Sequence, residues 1–241
     1  MRKCMLALFA ATAVGAASAK DLFSGEEHYT TPFQFCFWSV LQVPSPTWNV
    51  NGLRLGVFFS ESFDVTGLDI GLSCYNKAGM TGLQIQAFDW EESDVYGLQI
   101  GALANVVAGV ERGLQIGGLV NYVRGDFAGL QIGGVMNYNG MFTGMQIGGY
   151  NYNKGVSSGL MIGVANSTPN EYTGWAIGAV NYATRFKGCQ IGVVNVATET
   201  GKGCQIGVYN GAAKYSGVQI GVLNVIDGGE VPVMVLFNAN F

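Results

Sequence analysis

Apolar and polar positions alternate along most of this chain with a period of two, and the alternation recurs as variants of one phrase, G-L-Q-I-G. With its first glycine taken as position 0, the phrase occurs twelve times between Gly52 and Gly217, at intervals of 14 to 16 residues. Position 3 is Ile in eleven repeats and Leu55 in the first, and position 4 is Gly in eleven, with Gln86 the exception. Position 2 is Gln in eight repeats, and from the fourth repeat onward an Asn follows each phrase, from Asn105 to Asn224. Leu and Ile at positions 1 and 3 share one side of a strand, while Gly, Gln and Gly share the other. A helix does not fit, because each glycine in its interior costs about 1 kcal/mol. An apolar or aromatic residue stands two places before most phrases, such as Val65, Phe142 or Tyr215, and lengthens the strand. Turn formers at 153–155 (N-K-G), 168–171 (T-P-N-E) and 227–230 (D-G-G-E) supply one clear reversal signal per repeat.

Two all-β architectures fit this pattern. In an antiparallel meander each repeat is one strand and one turn. Reversing G-L-Q-I-G leaves Leu and Ile on one face, so a single phrase serves both strand directions. Twelve repeats plus strands near 33–38 and 231–241 then predict a β-barrel of about 14 strands, with Leu and Ile toward lipid and Gly and Gln inside. The alternative is a parallel β-solenoid of about 12 coils, stacked at the ordinary strand spacing of about 4.8 Å. There the Asn column becomes a hydrogen-bonded ladder, and the Gln rows would form a flat, exposed binding surface. Constant repeat length favours the solenoid. The single turn signal, the scarcity of charge and the terminal strands favour the barrel, which is the leading expectation. One feature opposes it, because position 6 is often apolar (Leu103, Leu119, Val135) and would face inward beside the Gln row unless a bulge shifts the face after position 4.

Composition adds a location. Charged residues make up 12% of the 241, about half the share of an ordinary soluble domain. Arg2 and Lys3, a short apolar core over 5–14 and the Ala17-Ser18-Ala19 triplet predict a signal peptide over 1–19, cleaved after Ala19. What remains, 20–241, reads as a single repeat-built β domain with its repeats over 52–230. It carries ten basic and sixteen acidic residues, and the acids concentrate before residue 95. Nucleic acid is therefore not an expected partner, since it calls for clustered Lys and Arg.

Candidate chemistry is sparse. Cys36, Cys74, Cys189 and Cys204 form no C-x-x-C pair, and Cys189 and Cys204 take the Leu position of successive repeats, where they read as apolar fillers first and a disulfide second. His28, the only histidine, reads as a surface residue, and Glu91, Glu92 and Asp94 read as a solvated turn. No phosphate-binding loop, nucleophile elbow or catalytic triad is spelled out. The chain is expected to be no enzyme and to need no cofactor or metal. Arg54 and Asp69 hold position 2 in the first two repeats, which places them side by side as an internal polarity pair, either a pore feature or an interior salt bridge.

The order of its motifs resembles a bacterial surface-repeat family of the leptospiral GLQIG type. The resemblance rests on "PFQFCFWSVLQV", "VNGLRLGVFF", "VTGLDIGLSCYN", the run of "GLQIG…N" units and the closing "VPVMVLFNANF". It implies an exported, surface-associated repeat protein, and it brings no catalytic residues. The function expected is therefore an outer-membrane or cell-surface protein with a structural or passive-pore role, touching membrane lipid as a barrel. As a solenoid it would act in adhesion or protein–protein interaction on a surface ligand that the sequence does not name.

Overall fold

A computed structural model describes residues 17–20 and 27–240. The leader expected over 1–19 lies outside the described residues except at its last three positions, and the terminal Phe241 lies outside them too. Strands and turns make up the fold, with no helix among the described residues. The chain divides into two compact units. The first, ending at Gly125, holds β1 (Ala17–Lys20), β2 (Glu27–Trp38), β3 (Leu41–Val43), β4 (Asn49–Gly56), β5 (Ser60–Ile70), β6 (Ser73–Glu91), β7 (Asp94–Val107), β8 (Glu111–Gly117) and β9 (Val120–Val123). The second, from Asp126, holds β10 (Phe127–Asn139), β11 (Phe142–Asn153), β12 (Ser157–Ile191), β13 (Val194–Ile226) and β14 (Val233–Asn240).

Each unit is a parallel β-solenoid, and the barrel expectation is overturned. Equal positions of successive repeats pair directly. Leu98 lies opposite Leu114 and Gln99 opposite Gln115 in the first unit, and Gln131 opposite Gln146 in the second. A meander would have set Leu against Ile. Among the described residues, antiparallel pairing is seen where β1 and β3 meet β2 and where β14 meets β13. The strands expected to close a barrel instead flank coils, β2 running parallel beside β4 and β14 lying on β13.

The two glycines of the phrase explain why stacking wins. All twelve position-0 glycines have φ between +122° and +148°, a backbone region that side chains disfavour. A Cβ built on one of them would overlap the carbonyl oxygen of the position-0 glycine in the preceding coil, as at Gly67, Gly82, Gly144 and Gly217. The glycine column is thus a line of backbone-on-backbone contact. The position-4 glycine turns the corner. β8 ends at Gly117 and β9 begins at Val120, and the register between β10 and β11 shifts between Gly133 and Met136, where the sequence offered one uninterrupted strand. A Cβ at Gly101 or Gly117 would overlap the side chain of Asn105 or Asn121. Beyond this corner the chain presents position 6 outward. Leu103 and Val135 are exposed, which removes the difficulty that position 6 posed for the barrel.

The interior is polar, which reverses the usual sense of the alternation. Gln at position 2 and the following Asn are buried, and Leu and Ile face outward. The Gln rows are therefore no exposed binding surface. In the second unit Asn137, Asn151, Asn166, Asn181, Asn195, Asn210 and Asn224 form one ladder, each Nδ2 donating to the next Oδ1 at 2.8–2.9 Å. The same nitrogen also donates to a backbone carbonyl of the next coil, as Asn181 does to Ile191 at 3.0 Å. The Gln ladder runs the other way. Gln99 donates to Gln84 and Gln115 to Gln99 at 2.8 Å, and Gln205 donates to Gln190 and Gln219 to Gln205 at 2.7 Å. Met161 and Ala176 interrupt it. The aromatic column before the phrase fills the rest of the interior, with Phe127 on Phe142 and Tyr172 on Phe186 at centroid distances of 6.3 and 6.1 Å.

Because each rung satisfies its neighbours, one removal strands two amides. Asn181→Leu is expected to destabilise the fold by roughly 2–4 kcal/mol, since buried polar groups left unpaired cost about 1–3 kcal/mol each. Thr173→Ala, at an exposed position, should stay within about 0.5 kcal/mol. Urea unfolding of both variants checks this, and equal midpoints would count against the ladder.

Candidate functional site

Two regions depart from the repeat's average chemistry. The first heads the Gln ladder of the first unit. β4 places Arg54 at position 2, β5 places Asp69 at the same position one coil on, and the two residues pair in register. Arg54 Nε donates to Asp69 Oδ1 at 2.7 Å, and its Nη2 meets Oδ2 of the same carboxylate. Its Nη1 donates to Ser62 Oγ at 2.7 Å and to Asn76 Oδ1 at 2.6 Å. All four residues are fully buried. The sequence-predicted pair is therefore brought into contact, as a desolvated ion pair inside a coil.

Sequence reasoning missed the acids around it. Asp89 and Glu91 on β6 and Glu111 on β8 are buried; of the three acids expected in a solvated turn, Glu91 is buried, Asp94 half-buried and Glu92 exposed. The signal was present in the register. Asp89 occupies the Asn column, opposite Asn105, and Glu111 occupies the apolar column, opposite Val95. Glu91 Oε1 accepts from Asn76 Nδ2 at 2.6 Å and from Gln84 Nε2 at 2.7 Å, and Cys74 Sγ donates to Asp89 Oδ1 at 3.3 Å. Glu111 accepts from Gln115 Nε2. Asp89 Oδ2 and Glu91 Oε2 have no partner.

Burial dominates the titration of these acids. It pushes Glu91 up to about 8, against the hydrogen bonds from Gln84 and Asn76 and the charge of Arg54, which favour its charged form. Burial also raises Asp89 and Glu111 well above the carboxylate range, with the neighbouring acids adding to it. At neutral pH Glu91 therefore keeps its proton, and the Arg54 guanidinium faces Asp69. Among the described residues no three His, Cys, Asp or Glu side chains are gathered in a way that could hold a metal. His28 also departs from expectation. It is buried, stacks on Phe63 at 3.6 Å and shares a 2.7 Å hydrogen bond between Nδ1 and the Thr47 carbonyl.

The second region is the outer surface of the second unit. Val164 is 67% exposed, Trp175 55%, Val222 59% and Leu236 70%, values that in an ordinary domain belong to polar side chains. Ile191, Ile206, Ile220, Val208, Val222 and Leu236 line an open groove of ≈ 490 Å³ together with Gly192, Gly207 and Gly221. The corner glycines that admit the Asn ladder inside thus also leave a channel outside. Salt bridges gather elsewhere, as where Arg185 meets Glu171 and Glu199 at 3.5 and 3.3 Å. Compared with protein-family models, with curated proteins and with solved structures, the chain gives no match.

Proposed function

We propose that the protein is an exported, membrane-associated structural repeat protein of the cell surface or outer membrane, without catalytic activity, whose apolar outer faces rest against lipid. The observation that carries this reading is the inverted polarity, with Gln and Asn rungs buried and Val, Leu, Ile and Trp outside. Backbone groups in contact with lipid need partners within the protein, and stacked coils supply them from their neighbours. An apolar patch larger than a few hundred Å² marks an interaction surface. The fold suits lying in the interface region, as amphipathic elements do. Passive permeation is set aside together with the barrel. The leader-like start over 1–19 and the resemblance of the motifs to surface-repeat proteins support the same location.

The test is flotation. Protein lacking 1–19 is refolded and mixed with phosphatidylcholine vesicles on a density gradient. Most of it is expected to rise with the vesicles and to aggregate when neither lipid nor detergent is present. A monodisperse protein that stays at the bottom of the gradient would refute the lipid reading and turn the same face toward a protein partner, as in adhesion.

A further inference from the structure

Cys189 and Cys204 occupy position 1 of successive coils in the second unit, and their strands are parallel and in register, Cys189 opposite Cys204. Neighbouring strands stand about 4.8 Å apart, within the Cα separation of roughly 4.4–6.8 Å that a disulfide spans. Both thiols are free and half-buried on the outward side of the coil. They are also in hydrogen-bonding contact, and burial, then the neighbouring thiol, pushes Cys189 up to about 11. The other two cysteines differ. Cys36 is sealed inside with Sγ donating to the Phe59 carbonyl at 2.9 Å, and Cys74 faces Asp89.

Small residues stand in the interior columns beside the pair. Ala176 breaks the Gln ladder one coil earlier, and Gln190 and Gln205, the residues directly after the two cysteines, restart it. Gly201 stands where most other coils place an apolar or aromatic side chain, and Tyr215 of the next coil leans into its space.

We propose that Cys189 and Cys204 form a redox-closable staple between adjacent coils, made by exchange with a small-molecule disulfide such as oxidised glutathione. One cysteine gives its proton to solvent, and its thiolate attacks a glutathione sulfur, releasing one glutathione thiolate. The second cysteine then loses its proton and attacks the protein sulfur of the mixed disulfide, releasing the other. Two protein thiols and one oxidised glutathione become one protein disulfide and two reduced glutathiones. The thiolate is the attacking species, so closure accelerates with rising pH.

The experiment uses the full chain, purified reduced and incubated with oxidised glutathione at pH 8.5. After denaturation and alkylation, trypsin cuts at Lys187 and Lys202, which puts the two cysteines on separate peptides. The expected result is one linked pair, 188–202 with 203–214, and a Tm rise on the order of 5–10 °C, from closing a loop one coil long. The rise should vanish in Cys189→Ala and persist in Cys36→Ala. Two alkylated peptides, or stable glutathione adducts without a link, would overturn the proposal. The linkage is read on the parent protein, so it stands whether or not a variant folds.

Discussion

Gly144→Ala is expected to unfold the coil that carries it, at a cost of more than about 3 kcal/mol. Gly144 has φ +133°, and a Cβ there would overlap the backbone carbonyl of Gly129. Rotating a side chain cannot relieve a clash between main chains, so neighbouring coils would have to part. Gly148→Ala is expected to cost less, because the nearest atom its Cβ would meet is the side-chain amide of Asn137, although the Gly133 carbonyl oxygen at 2.8 Å limits the escape. Gly228→Ala should be close to silent, with its nearest neighbours at 3.2 and 3.6 Å. Urea midpoints should rank the three in that order. If Gly144→Ala matched Gly228→Ala, the glycine column would not be the contact that holds the stack.

The second large effect concerns pH. Glu91 keeps its proton in the fold up to about 8, whereas its ordinary value is 4.5. Below about 4.5 both folded and unfolded chains are protonated there, and this group does not oppose folding. As pH climbs, the unfolded chain ionises first, so stability falls until the folded group ionises near 8, and then levels off. The loss amounts to roughly 5 kcal/mol. Asp89 and Glu111 are shifted in the same direction and steepen it. Glu91→Gln keeps an acceptor for Asn76 and Gln84 and removes the titration. The Tm of the parent is expected to drop between pH 5 and 9, and that of the variant to drop less. A parent Tm that is flat across this range would mean that the acids are solvated after all.

The repeat length, the all-β class and the membership of each face were legible in the sequence, because all three depend on spacing alone. Which face lies inside depended on the architecture: the barrel expectation put Gly and Gln inside, where the structure has them, and the solenoid alternative left the Gln rows exposed. Alternation is symmetric, and the rule that apolar residues lie inside points the wrong way when polar side chains satisfy one another in ladders. Strand direction was hidden by the palindrome, which suits parallel and antiparallel neighbours equally. The second corner was legible only as a bulge after position 4, because Gly there reads as strand until Asn105 or Asn121 is seen to need its space. Arg54 and Asp69 were found because both fall within the phrase. Asp89, Glu91 and Glu111 lie outside it, and only alignment with Asn105, Val107 and Val95 in neighbouring coils places them inside.

The opposed donor directions of the two ladders bear on length. A one-way file of amides adds its dipoles end to end, as peptide units do in a helix, and the potential at its tips grows with each member. Here the Asn file points toward the C-terminus and the Gln file toward the N-terminus, so wherever a coil carries both, their fields oppose each other. Inserting or deleting a whole coil of 14 to 16 residues therefore leaves the potential at the tips nearly unchanged. Copy number becomes a free variable, and a gene for such a chain can lengthen by in-frame duplication without electrostatic strain setting a ceiling.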